Sequence, residues 1–277
     1  MQAPAPTHGD HAYNVPVPFL TRGGVNLHYE ASGNPAGAPM LFVHGWCCNH
    51  TYFAPQVEHF GATHSTLAVD LRGHGKSDAP EQPYTIAAFA DDLAWTCDSL
   101  GIERAIVVCH SMGGLIALLL AASRPDLVRA AVFVDAPLLL PPDALAARRP
   151  ILETFWGDDY VDAVIAYADD RFFIDADDPE RRARILEGFA AMPQHVLASA
   201  WQSILETDSI APARAFAQHG IPGLYIGAAR PLTDMQRLRE ICPSIVTAQT
   251  AAAGHFCQLE VPDQVNAMLE RFIRVVL

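Results

Sequence analysis

The chain has no uninterrupted apolar run near the ~20 residues that span a bilayer, no basic cluster, and no cysteine spacing of a disulfide framework. Lys and Arg number 18 against 31 Asp and Glu, a formal charge of −13. That balance argues against nucleic acid and anionic membranes as partners. The six cysteines (Cys47, Cys48, Cys97, Cys109, Cys242, Cys257) include an adjacent pair and read as reduced thiols of a cytoplasmic protein. Residues 1–18 lack a basic n-region and an apolar h-region, so no signal peptide is expected. No unit repeats at a period of about 20–50 residues, which argues against a solenoid. His44, His50, His64 and His74 lack paired zinc spacing, and no metal site is expected.

What is present is a chain of 277 residues, 51% of them hydrophobic, enough for one domain with an insertion or two small ones. Extended segments at Val17–Thr21 and Val25–Glu30 flank Arg22-Gly23-Gly24 and predict a hairpin. Strands are expected at Met40–Val43, Ser65–Asp70, Ala105–Val108 and Ala130–Val134. Helices are expected at Tyr52–Phe60, Thr85–Leu100 (Thr85 as N-cap) and Met112–Ser123. Such alternation implies a mostly parallel sheet with helices on both faces. From Pro137 to about Gln218 the strand signal stops, and helical pieces follow, carrying Phe155, Trp156, Tyr160, Tyr167, Phe172, Phe173, Met192 and Trp201. The expected division is a core over 1–136, a helical cap insertion over 137–218, and a second core part over 219–277. Strands at Gly223–Gly227 and Ser244–Thr250 and a helix at Pro262–Val276 complete that second part.

Cys109-His110-Ser111-Met112-Gly113 joins an apolar strand to a small-residue helix. A serine on such a turn exposes its hydroxyl at a helix N-terminus, where backbone N–H groups favour an oxyanion. Cys109 replaces the first glycine of the usual G-x-S-x-G, and a small side chain can fit there. Ser111 is the candidate nucleophile, and His255, in Ala253-Gly254-His255-Phe256 after the last strand, the candidate base. The third part is a carboxylate to orient the imidazole.

His44-Gly45-Trp46, Asp70-Leu71-Arg72-Gly73-His74-Gly75-Lys76-Ser77-Asp78, the serine turn and Gly254-His255-Phe256 together resemble the α/β-hydrolase superfamily. The resemblance implies an eight-stranded sheet with an inserted cap. It also implies an oxyanion hole from the backbone N–H groups of Trp46 and Met112. Relatives commonly place the acid just after the seventh strand, where this chain has Gly227-Ala228-Ala229-Arg230 and reaches Asp234 four residues later. Other branches take it from the end of the sixth strand, which here is Val134-Asp135. Asp135 is preferred because strand C-terminal ends face the ligand crevice; Asp234 stays open. Two such branches, the zearalenone-lactone hydrolases and the cofactor-free quinoline-ring dioxygenases, resemble this chain at Gly45-Trp46-Cys47 and Gly227-Ala228-Ala229, and no substrate is carried over from them.

The expectation is a serine hydrolase of a carboxylic ester or lactone of an apolar small molecule, with no cofactor and a homodimer left open. The rivals are cofactor-free dioxygenation, carbon–carbon bond hydrolysis, and a ligand-binding receptor that hardly turns over. Dehalogenase and epoxide hydrolase chemistry fit less well, because those relatives carry aspartate where Ser111 stands.

Overall fold

The structure, a computed structural model, describes residues 18–277. Val17 and nearly all of the N-terminal segment lie outside the described residues. Strand β1 (Phe19–Arg22) pairs antiparallel with β2 (Val25–Gly33). Gly23 and Gly24, both at positive φ, form the tight turn whose twist suits a two-residue hairpin.

The remaining strands are β3 (Met40–Val43), β4 (Ser65–Val69), β5 (Ala105–His110), β6 (Val128–Val134), β7 (Gly223–Gly227) and β8 (Val246–Gln249). They form one eight-stranded sheet in the order β1-β2-β4-β3-β5-β6-β7-β8. β2 meets β4 antiparallel, and every pair from β4 onward is parallel. This is the expected mostly parallel sheet. Alternate residues of the buried strands feed two apolar clusters: Leu41, Val43, Val107 and Phe133 on one face, Met40, Phe42, Val108 and Val132 on the other. That period of two, apolar on both sides, is how a doubly covered sheet reads in sequence.

A 3₁₀ turn at His50–Phe53 leads into α1 (Ala54–Gly61), so the helix expected at Tyr52 begins slightly later. α2 (Ile86–Ser99) is capped by Thr85, whose hydroxyl accepts from the Ala88 N–H at 3.1 Å. α3 (Met112–Ser123) is apolar on nearly every side because it lies beneath other helices as well as on the sheet.

Between β6 and β7 come six helices: α4 (Pro142–Arg148), α5 (Pro150–Phe155), α6 (Tyr160–Phe172), α7 (Pro179–Ala190), α8 (Gln194–Glu206) and α9 (Ile210–Gln218). α9 belongs to the sheet's own covering layer, since Phe216 packs edge-on against Phe133 at 5.7 Å. α8 is tied to the start of α2 and the chain just ahead of it, with Ser199 and Ser203 hydroxyls accepting from the Tyr84 and Ile86 amides. α10 (Met235–Ile241), α11 (Cys257–Glu260) and α12 (Pro262–Val276) complete the chain. No helix among the described residues is long and apolar enough to cross a membrane.

Parallel strands bring their C-terminal ends to one edge of the sheet. Ser111 follows β5, Asp135 follows β6, and the loop carrying His255 follows β8.

Candidate active site

Ser111 sits between β5 and α3 at φ 52° and ψ −123°, a conformation few L-residues adopt. Its N–H donates to the Val134 carbonyl at 3.1 Å, so the sheet hydrogen bonding holds the turn. The turn is crowded: a Cβ on Gly113 would stand 2.5 Å from the Val43 carbonyl oxygen, and one on Gly45 would stand 2.9 Å from the Ser111 Cβ. Cys109 fits because its thiol points into the sheet and donates to the Val132 carbonyl at 3.1 Å. Among the described residues, four that are not glycine have positive φ, namely Cys47, Ser111, Asp135 and Ala252. Cys47 follows Trp46 and Ala252 lies on the His255 loop, so all four border this site.

Ser111, His255 and Asp135 form one hydrogen-bonded chain. The Ser111 hydroxyl lies 2.9 Å from His255 Nε2, and His255 Nδ1 lies 2.7 Å from Asp135 Oδ2. The other Asp135 oxygen accepts from the Ala228 and Leu232 amides at 3.2 and 3.3 Å. The turn after β7 therefore holds this carboxylate through its backbone. Asp234 instead caps α10, accepting from the Arg237 N–H at 3.0 Å. It stands one residue before that helix, as its N-cap.

Three further contacts set the imidazole. The His255 N–H donates to the Phe172 carbonyl at 2.9 Å, and the Phe172 ring stacks on the imidazole at 4.6 Å. His110 Nε2 donates to the His255 carbonyl at 2.9 Å. Burial, then the neighbouring His255, push the His110 pKa well below the usual range, so His110 is a neutral N–H donor. Next to His255, the Gly254 amide donates to Glu260 Oε2 at 2.7 Å, and Asp177 accepts from the Ile174 amide at 2.8 Å. Burial and the adjacent Asp177 carboxyl push Glu260 up to about 7.

Above Ser111 lies a cavity of about 500 Å³, lined by Trp46, Met112, Tyr167, Phe172, Phe189 and Trp201 among others. That is the size of a small-molecule site. Among the described residues, the Trp46 and Met112 amides donate to no protein acceptor. Met112 opens a helix, so its N–H has no intrahelical partner. The Trp46 indole is fixed by its N–H to the Leu197 carbonyl at 3.0 Å and by Trp201 at 4.7 Å. Cys48 also lines the cavity, while all six cysteines are free and buried. Burial raises the Cys48 thiol well above its ordinary pKa, leaving a neutral packing group.

A second set of histidines gathers around Asp70. Asp70 accepts from His28 Nδ1 and His50 Nδ1, each at 2.8 Å, and from the His50 and Lys76 amides. His28, His50 and Asp70 could between them present three metal ligands, yet each imidazole is hydrogen-bonded directly to the carboxylate, as a loop-organising cluster would be. His44 donates to the Gly45 carbonyl and accepts from the Leu71 amide, and burial lowers it to about 4. His74 donates to the Arg72 carbonyl.

Sequence reasoning left several residues without a role. His110 was visible beside Ser111 in the same pentapeptide, but nothing there shows that its ring reaches the His255 carbonyl. Phe172 was one of many aromatics in the helical stretch, with no local mark to distinguish it. Glu260, six residues after Gly254, gave no signal.

A family model described as alpha/beta hydrolase fold matches residues 38–262. Among curated proteins, 2-(acetamidomethylene)succinate hydrolase of Mesorhizobium japonicum is 38% identical over 133 residues, 47% of this chain and 47% of that protein. Epoxide hydrolase 3 of Mus musculus is 35% identical over 137 residues, 48% of this chain and 37% of that protein. The matches thus span less than half the length of these relatives. A solved structure described as Est816, an N-acyl homoserine lactone degrading enzyme, has TM-score 0.77 and 26% identity, covering 92% of this chain and 100% of that one.

Proposed function

This chain belongs to the α/β-hydrolase family, and from that premise we propose that it hydrolyses carboxylic esters or lactones of small, largely apolar molecules through an acyl-enzyme on Ser111. The observation that carries this reading is the continuous hydrogen-bonded path from Asp135 through His255 to Ser111 at the floor of the cavity.

Ser111 Oγ attacks the carbonyl carbon while His255 Nε2 takes the hydroxyl proton. Asp135 keeps His255 Nδ1 protonated and stabilises the imidazolium that forms. The negative charge on the former carbonyl oxygen is received by the Trp46 and Met112 amides. His255 then passes its proton to the leaving alkoxide, and the C–O bond breaks. Water enters, gives a proton to His255 and attacks the acyl carbon; the same proton returns to Ser111 as the carboxylic acid leaves. With a lactone, both products remain one molecule, a hydroxy acid. Phe172 stacked on His255 keeps water from the imidazole face and fixes the ring plane. The hydroxyl at position 111 points away from reactions that need a carboxylate nucleophile. Cytoplasmic residence is proposed with it, in keeping with the six free thiols.

The test is turnover of short and medium 4-nitrophenyl esters together with labelling by a fluorophosphonate probe. Ser111→Ala is expected to lose the label and to lower kcat by at least about a thousandfold. Undiminished turnover by the variant, or oxygen uptake indifferent to the probe, overturns the proposal.

A further inference from the structure

The cavity wall carries an unusual charge for this chain. Arg148, Arg171 and Arg230 all line it, against a single acid, Asp170, although acids outnumber Lys and Arg by 31 to 18 overall. Asp170 pairs with Arg171 at 2.9 Å. Among the described residues Arg148 and Arg230 have no carboxylate partner. Arg148 is steadied by donating to the Ala144 carbonyl at 2.8 Å, so its guanidinium stays at the cavity edge.

Arg230 has a structural reason to be there. The turn after β7 holds Asp135 through the Ala228 and Leu232 amides, so no carboxylate side chain is needed on the turn itself. Its side chain at 230 is thereby released to face the cavity. The same wall carries the aromatic rings of Trp46, Phe172, Phe189 and Trp201. An arginine fork pairs most strongly with a carboxylate, and at Arg148, which is half-buried, partial desolvation strengthens that pairing relative to open water.

We propose that the cavity selects amphiphilic anions: an ester or lactone whose apolar body lies on Trp46, Phe172, Phe189 and Trp201 and whose separate carboxylate meets Arg230 and Arg148. This rests on the hydrolase reading for its chemistry, while the anion site itself stands on the cavity wall alone.

Binding is measured by quenching of tryptophan fluorescence, since Trp46 and Trp201 line the cavity. The paired probes are 4-phenylbutyrate and 4-phenylbutanamide, which differ in charge at nearly equal size. The carboxylate is expected to bind at least about tenfold more tightly. Arg230→Gln should shrink that gap severalfold and Arg230→Glu should reverse it. Arg230 is exposed and without a carboxylate partner among the described residues, so both variants are expected to fold. In parallel, kcat/KM for 4-nitrophenyl hydrogen glutarate should exceed that for 4-nitrophenyl valerate, and the ratio should fall in Arg230→Gln. Equal or weaker binding of the carboxylate, or a gap untouched by Arg230→Glu, overturns the anion site. Absent ester turnover with the fluorescence preference intact would instead sink the hydrolase reading and leave the anion site standing.

Discussion

Asp70 and Asp135 each stand one residue beyond a parallel strand, each is almost wholly buried, and each accepts hydrogen bonds from imidazole and backbone N–H groups. Around Asp70 every direction is closed. Two imidazoles and two amides saturate it, His50 Nε2 turns to Glu30 at 3.0 Å, and the adjoining crevice is only about 10 Å³. Around Asp135 one direction is open, because the far nitrogen of His255 reaches a hydroxyl at the floor of a cavity of about 500 Å³. The same pair of residue types is thus a loop fastener in one place and a candidate proton relay in the other. The difference lies in what the second imidazole nitrogen faces.

The sharpest way to break this comparison is to neutralise each aspartate in turn. Asp135→Asn should lower kcat by roughly 10³ to 10⁴, since an amide no longer enforces the right tautomer or balances the imidazolium. Thermal stability should change far less than kcat. Asp70→Asn should do the reverse, losing about 3 kcal/mol of stability as buried donors are left facing an amide nitrogen, with kcat per folded molecule nearly kept. Burial by itself would raise the Asp70 pKa, but its hydrogen bonds and neighbouring histidines outweigh that and hold it well below the carboxylate range. Its contribution is therefore present at neutral pH and is lost on acidification. Urea unfolding and 4-nitrophenyl ester kinetics on both variants check the pair. Matching profiles for the two would erase the distinction.

Much of this arrangement was legible before any coordinates. β3, α3, β7 and α12 lie where the apolar periods, glycines and prolines put them, because each is bounded by a residue that physically stops or starts an element. Ser111 and His255 stood out through chain order, and the structure brings them within 2.9 Å. The acid resisted because Asp135 and Asp234 are both aspartates at the end of an element. Which one meets the imidazole depends on the path of the turn after β7, set by contacts between residues more than 90 positions apart. The arginine rim was equally hidden: Arg148, Arg171 and Arg230 come from three separate elements, and only the fold assembles them.

Asp234 sharpens the comparison at lower cost. Asp234→Ala removes a helix cap and should reduce stability by about 1 kcal/mol, leaving ester kcat within about twofold of the parent. A fall in kcat approaching that of Asp135→Asn would return Asp234 to the relay and displace Asp135.

The smallest effect concerns pH, and its sign opposes that of Asp70. Glu260 is raised from 4.5 to about 7, first by burial and then by Asp177, while Arg181, 3.7 Å from Asp177, pulls the other way. Below 4.5 folded and unfolded chains both hold the proton. Between 4.5 and 7 the unfolded chain releases it while the folded chain retains it, so stability falls as pH rises and then levels off. Partial exposure of Glu260 screens the size of this loss, which makes direction the useful readout. Glu260→Gln keeps an acceptor for the Gly254 amide and offers Asp177 a permanent donor. The urea midpoint of the variant should therefore change less between pH 5 and pH 8 than that of the parent. Because Gly254 precedes His255, the same substitution should also flatten any loss of kcat tied to loosening of that loop. A pH dependence of stability identical to the parent's would place its origin in groups other than the Asp177–Glu260 pair.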